Sequence, residues 1–242
     1  MSWLWGSKKI DLDDIKITGK KLLQENKLDE ALALYTDAYK NSMSDPTMRG
    51  AGIEMAIILV LKVNKLLSDS STINYKQQSE AKRLFLEAIK IYQDIIENID
   101  IDKEPYNTNI KASAYNNLAF LKTTGIAFVY TQPSVVEGGG EGGVAQSPDD
   151  SRLLTPKEAT DKARLLVGEY KVKKFLVEPD LSEAIVNYRM AIEINPNDIS
   201  AILNLGGVLY LEWMLSAGKD EKYVNNLILD ARECYFSLLK KN

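Results

Sequence analysis

Residues 182–198 read S-E-A-I-V-N-Y-R-M-A-I-E-I-N-P-N-D. Ala184, Tyr188 and Ala191 are spaced by four and then three residues, which sets all three on one face of an α-helix. Small residues on that face let a neighbouring helix approach closely, and the tyrosine ring fills the room between them. Asn195-Pro196 stops the helix, because proline disfavours helical geometry in the residue before it. Asp198 then stands where a following helix, with its pattern starting at Ile199, needs an N-cap. The stretch predicts a helix, a tight turn and a second helix.

The same small–aromatic–small spacing recurs along the chain. It appears at Ala31, Tyr35 and Ala38 within D-E-A-L-A-L-Y-T-D-A, with Gly19 and Leu22 in matching places on the preceding helix. Ser79-Glu80-Ala81 leads to Phe85 and Ala88, and Ala231, Tyr235 and Leu238 form a fainter copy. Two other helices share a different pattern, Tyr115-Asn116-Asn117-Leu118-Ala119 and Ile202-Leu203-Asn204-Leu205-Gly206. Together these features resemble the tetratricopeptide repeat family over most of the chain. The resemblance implies an all-α fold of antiparallel helix-turn-helix repeats stacked as a solenoid, and a protein that binds other proteins. The spacing departs from the family. Ala31 and Ala81 stand about 50 residues apart and Ala184 and Ala231 about 47, against a usual unit of about 34. Between Ala81 and Ala184 the pairing of helices stays open, and both a regular superhelix with an insertion and a divergent bundle with repeat-like ends fit.

Helical periodicity predicts about nine helices, counted on the usual apolar spacing. They are expected over residues 11–24, 29–41, 45–67, 76–97, 108–130, 155–177, 182–194, 199–217 and 221–240, with no convincing period-two strand. Asp45-Pro46 supplies a cap and a first-turn proline, and Thr155-Pro156-Lys157-Glu158 combines a capping-box spacing with proline in the first turn. Residues 133–154 hold V-E-G-G-G-E-G-G-V-A-Q-S-P-D-D-S, which has almost nothing to bury and a high backbone entropy, so a flexible surface insertion is expected there. The chain divides into an N-terminal Trp/Lys segment, 1–10, and one helical domain, 11–242, that carries the insertion.

Composition removes several function classes. The 242 residues are 45% hydrophobic and 26% charged, as in an ordinary globular protein, and the net charge of −4 gives no reason to expect nucleic-acid binding. The chain has no histidine. That takes away the usual general base near neutral pH, the histidine-activated nucleophiles and the commonest zinc ligand. The single cysteine, Cys234, cannot form an internal disulfide or a thiolate cluster, and it reads as a small residue at a helix interface in a reducing compartment. No apolar run reaches the ~18 residues that would span a bilayer, and the N-terminus lacks a secretory signal, so a cytoplasmic protein is expected. Asp11-Leu12-Asp13-Asp14 lacks the glycine and distal glutamate of a calcium loop and reads as a helix-start charge bias. The glycines at 138–143 follow no strand, which argues against a nucleotide loop. No metal or cofactor is expected.

In the family, a partner peptide lies in a concave groove lined by the first helix of each repeat. Carried over, this implies a partner groove of Lys16, Lys20 and Leu23 on the first helix, Ser113, Asn116, Phe120 and Thr123 on the fifth, and Leu203, Gly207 and Tyr210 on the eighth. A subclass clamps the acidic tail of heat-shock chaperones. Lys16 and Asn117 match its pattern, but Lys20 stands where that subclass has asparagine and the eighth helix has no lysine or arginine, so a chaperone clamp is not expected. The implied function is a non-enzymatic adaptor within a larger assembly. A rival reading comes from Trp3, Leu4, Trp5, Lys8 and Lys9. Tryptophan favours the membrane–water boundary and lysine favours anionic headgroups, so this segment reads as a membrane or partner latch, as packing against the first helices, or as a disordered end.

Overall fold

The computed structural model describes residues 11–42, 45–68, 75–125, 127–131, 171–216 and 218–240. Among them run α1 (Leu12–Gln24), α2 (Leu28–Asn41), α3 (Gly50–Ser68), α4 (Tyr75–Asn98), α5 (Thr108–Thr124), β1 (Ala127–Thr131), β2 (Lys171–Phe175), α6 (Leu181–Ile194), α7 (Ile199–Leu215) and α8 (Glu221–Leu239). The architecture is all-α, with consecutive helices packed as antiparallel pairs and one two-stranded ribbon between α5 and α6.

The helix ends follow from the residues that mark them. Asp180, Asp198 and Asp220 accept hydrogen bonds from the backbone N–H groups of Glu183, Ala201 and Tyr223, satisfying donors that the first turn leaves open. Asn26, with φ 57°, reverses the chain after α1 while Lys27 N–H donates to the Leu22 carbonyl at 2.9 Å. Asp45 caps a short 3₁₀ turn, Pro46–Arg49, so α3 itself starts later than the sequence suggests, at Gly50.

Two expected helices are corrected. The helix expected to run to Tyr130 stops at Thr124, because Gly125 takes a left-handed conformation (φ 52°) and its N–H caps Leu121. The β-branched and aromatic residues that follow form β1, which pairs antiparallel with β2 from Ala127↔Phe175 to Thr131↔Lys171. The helix expected over 155–177 therefore does not occupy 171–175, and its earlier part lies outside the described residues, as does the insertion at 133–154 and the segment 1–10. Gly125 is held where a Cβ would meet the Val177 carbonyl at 2.2 Å. The returning chain is tied there, with Val177 N–H donating to Gly125 O and Asp180 N–H to Lys122 O.

That return settles the pairing that the sequence left open. α5 packs against α6, so the ribbon joins the two helices of one pair. The pairs are α1–α2, α3–α4, α5–α6 and α7–α8, and each second helix carries the recurring pattern. Ala31, Ala81, Ala184 and Ala231 are all fully buried, as are Tyr35, Phe85 and Tyr188, while Tyr235 on the last helix is 42% exposed. Even-numbered helices lie side by side, since Tyr39 of α2 donates to Asp94 of α4 at 2.6 Å and Arg189 of α6 to Asp230 of α8 at 2.8 Å. Odd-numbered helices form the other layer. Gly50 of α3 faces both Leu12 of α1 and Ile110 of α5, and Asn204 of α7 donates to Asn116 of α5 at 3.3 Å. Among the described residues the core is accordingly a chain of three apolar clusters rather than one centre, with α3 shared by the first two and α5 by the last two.

Candidate partner-binding face

The layer of odd-numbered helices positions most of the residues singled out from sequence. On α7, Leu203, Gly207, Tyr210 and Met214 are separated by four, three and four residues and share one helical face. All four are exposed, and a Cβ added to Gly207 would meet nothing within 4 Å. On α5, Asn116 and Phe120 are one turn apart, and Phe120 is 49% exposed. The Asn116–Asn204 bond fixes the two helices at that level, which brings the α5 and α7 faces together as one strip.

This strip carries no charge. The ionic side chains of α5 and α7 are engaged elsewhere. Lys111 donates to the Ile99 carbonyl at 2.7 Å, and Lys122 pairs with Glu183 of α6 at 2.6 Å. Glu212 is buried behind α7, where Lys219 and Tyr223 donate to it at 2.8 and 3.0 Å. Burial pushes its carboxyl up, but the Lys219 and Tyr223 hydrogen bonds outweigh that and hold it below the ordinary value. An amide pair, a hydroxyl of Tyr210 and several apolar side chains are left on the surface. Such a face can bury apolar groups of a partner and hydrogen-bond its backbone.

Other residues fall differently. Thr123 turns away from the strip, because its hydroxyl donates to the Ala119 carbonyl and hydrogen-bonds the buried Tyr188 of α6. Leu23 is half-buried against the α1–α2–α3 core, since its place on α1 points toward α2. Asn117, the residue that matched the chaperone clamp, hydrogen-bonds Tyr92 of α4 instead. Ser113 is half-buried on α5. Lys16 and Lys20 are exposed on α1, at the other end of the row from α7. Trp3, Leu4, Trp5, Lys8 and Lys9 lie outside the described residues.

The sequence reading also missed residues. Ile57 and Leu61 are exposed on α3, one turn apart, and Met214 extends the α7 strip. Residues 55–63 are apolar apart from Lys62, so no polar stripe marks the outward face of α3. Counting α3 as the first helix of a pair, like α5 and α7, is the signal that would have found them. Among the described residues no helix is long and apolar enough to cross a membrane, and no group of three or more Asp, Glu or Cys is placed to hold a metal ion. No protein-family model matches the chain, and no curated protein matches its sequence.

Proposed function

We propose that this chain is a non-enzymatic adaptor of tetratricopeptide type that binds a peptide or protein partner along its odd-helix layer, as part of a larger cytoplasmic complex. One observation carries the reading. Phe120, Leu203, Gly207, Tyr210 and Met214 are exposed, half-buried Asn116 joins the two helices beside them, and every ionic group on α5 and α7 is satisfied away from this uncharged strip. Scattered exposed apolar residues are ordinary on protein surfaces, but apolar residues aligned along neighbouring helices mark an interaction face. The reading also draws support from the absence of histidine, which leaves few groups suited to acid–base work near neutral pH.

The test is affinity purification of the native full-length chain from its own cells, in parallel with Leu203→Glu, Phe120→Ala, Tyr210→Ala and Lys16→Glu. Partners held by the strip are lost with the first three variants and retained with Lys16→Glu. Retention with all four variants rules the strip out as the binding face.

A further inference from the structure

A cleft of about 420 Å³ opens between α6, α7 and α8. Its floor is aliphatic, with Ile192 and Pro196 contributed by α6 and its following turn and Ile202, Leu205 and Leu209 by α7. With about 100° of rotation per residue, those α7 side chains project from the side of the helix roughly opposite Leu203, Gly207 and Tyr210. The cleft is therefore separate from the uncharged strip.

Its rim is ionic and unbalanced. Arg189 of α6 donates to Asp230 of α8 at 2.8 Å, which uses up the one lining cation, and Glu233 on the next turn of α8 adds a second carboxylate. Among the described residues Glu233 forms no ion pair. The surplus negative field is felt at Cys234, whose thiol is pushed up by burial first, then by Asp230 and Glu233, against a smaller opposing effect of Arg189. A volume of this size, an apolar floor and a few charged groups at the mouth are the ordinary makings of a docking site.

We propose that this cleft docks a partner segment in which a branched aliphatic or aromatic side chain is flanked by lysine or arginine. The apolar side chain leaves water against Ile192 and Pro196, above the buried Ile202, Leu205 and Leu209. The flanking cation meets Glu233 and the Asp230 side of the rim, whereas an acidic flank meets like charge. Side chains at such a rim choose between partners more than they add affinity.

Cys234 is the one cysteine of the chain and lines the cleft, so its alkylation reports occupancy directly. The experiment follows N-ethylmaleimide modification of the full chain by intact mass while titrating acetyl-Gly-Lys-Leu-Lys-Gly-amide or acetyl-Gly-Glu-Leu-Glu-Gly-amide. The lysine peptide is expected to slow modification saturably, at concentrations lower than the glutamate peptide by roughly threefold or more. Glu233→Lys reverses that order, and Ser237→Trp, which fills the mouth, abolishes protection with an unchanged circular dichroism spectrum. Leu203→Glu leaves protection intact, so failure of the α5–α7 strip and failure of this site are told apart. Equal protection by the two peptides, no protection by either at millimolar concentration, or an order unchanged by Glu233→Lys overturns the proposal.

Discussion

Gly19 of α1 lies flat against the ring of Tyr35 on α2, so close that a Cβ at residue 19 would stand 2.4 Å from the ring and its hydroxyl. The first pair of helices is set at this separation by a hydrogen where every other residue has a carbon. At the far end, Gly206 of α7 faces Tyr235 of α8 in the same way, but its Cβ would stand 3.0 Å from that ring. Tyr35 is 2% exposed and enclosed, whereas Tyr235 is free to swing outward.

Gly19→Ala is therefore expected to destabilise the protein by about 1–3 kcal/mol, because overpacking outweighs the ~1 kcal/mol that alanine gains over glycine within a helix. Gly206→Ala is expected to cost less, within about 1 kcal/mol, since the Tyr235 ring yields and the 3.3 Å approach to Cys234 Cβ needs only a small shift. Urea titrations of the two variants with unchanged m-values check the contrast. Equal losses would mean that the two rings are equally confined.

The buried tyrosines make stability fall at alkaline pH. Burial pushes the phenols of Tyr35 and Tyr188 up to about 12 from an ordinary 10.0, with Glu54 adding to the rise at Tyr35 and Thr123 opposing it at Tyr188. The unfolded chain ionises these groups near 10 while the folded chain keeps them neutral. Their contribution is complete below pH 10 and is lost as pH climbs toward 12, by about 2–3 kcal/mol for each at full effect. Tyr188→Phe should lose roughly 2 kcal/mol less than the parent between pH 9 and 11.5 in urea titrations. A parallel decline of the two proteins would place the alkaline sensitivity elsewhere.

Glu212 acts in the opposite direction. Its carboxyl is held below the ordinary value by Lys219 and Tyr223 despite burial, so the pair of α7 and α8 is stabilised above the unfolded-state pKa of glutamate and loses that contribution as pH falls through the lower folded value. Glu212→Gln should lower the unfolding midpoint at pH 7 by the equivalent of about 1–3 kcal/mol and flatten the acid side of the profile between pH 5 and 3. An undiminished acid slope in the variant would show that other carboxylates govern it.

The ribbon holds the two ends of the long connection between α5 and α6 side by side. Thr131 and Lys171 face each other at its open end, the arrangement that a two-residue hairpin turn closes. Replacing residues 132–170 by Asn-Gly shortens the loop by roughly four doublings, which lowers closure entropy by about 2 kcal/mol. The shortened protein is expected to keep the helical circular dichroism signal of α1–α8 and to unfold at or above the parent's urea midpoint. Loss of cooperative unfolding would show that the replaced residues contribute to the core.

Local chemistry made much of this protein legible from its sequence. The positions of α1, α2, α6, α7 and α8 follow from apolar period and from caps such as Asp180 and Asp198, because both act within one or two turns of chain. The burial of Ala31, Tyr35, Ala81, Phe85, Ala184 and Tyr188 follows from small and aromatic residues at helical spacing. Phe120, Leu203 and Tyr210 are exposed while Thr123 and Leu23 are half-buried, since a residue on the flank of a stripe is assigned inward or outward only by the neighbour beside it. Non-local contacts decided the remainder. Residues 127–131 extend a helical pattern until a strand forty or more positions away pairs with them. Which helix α5 pairs with depends on where the chain returns after Gly125, and no residue within α5 encodes that distance. The motif at 182–198 determined by itself a helix, a turn and a cap. That Tyr188 packs against Thr123 of α5, while Arg189 reaches Asp230 and helps to frame a cleft, was decided only when the tertiary structure brought those helices together.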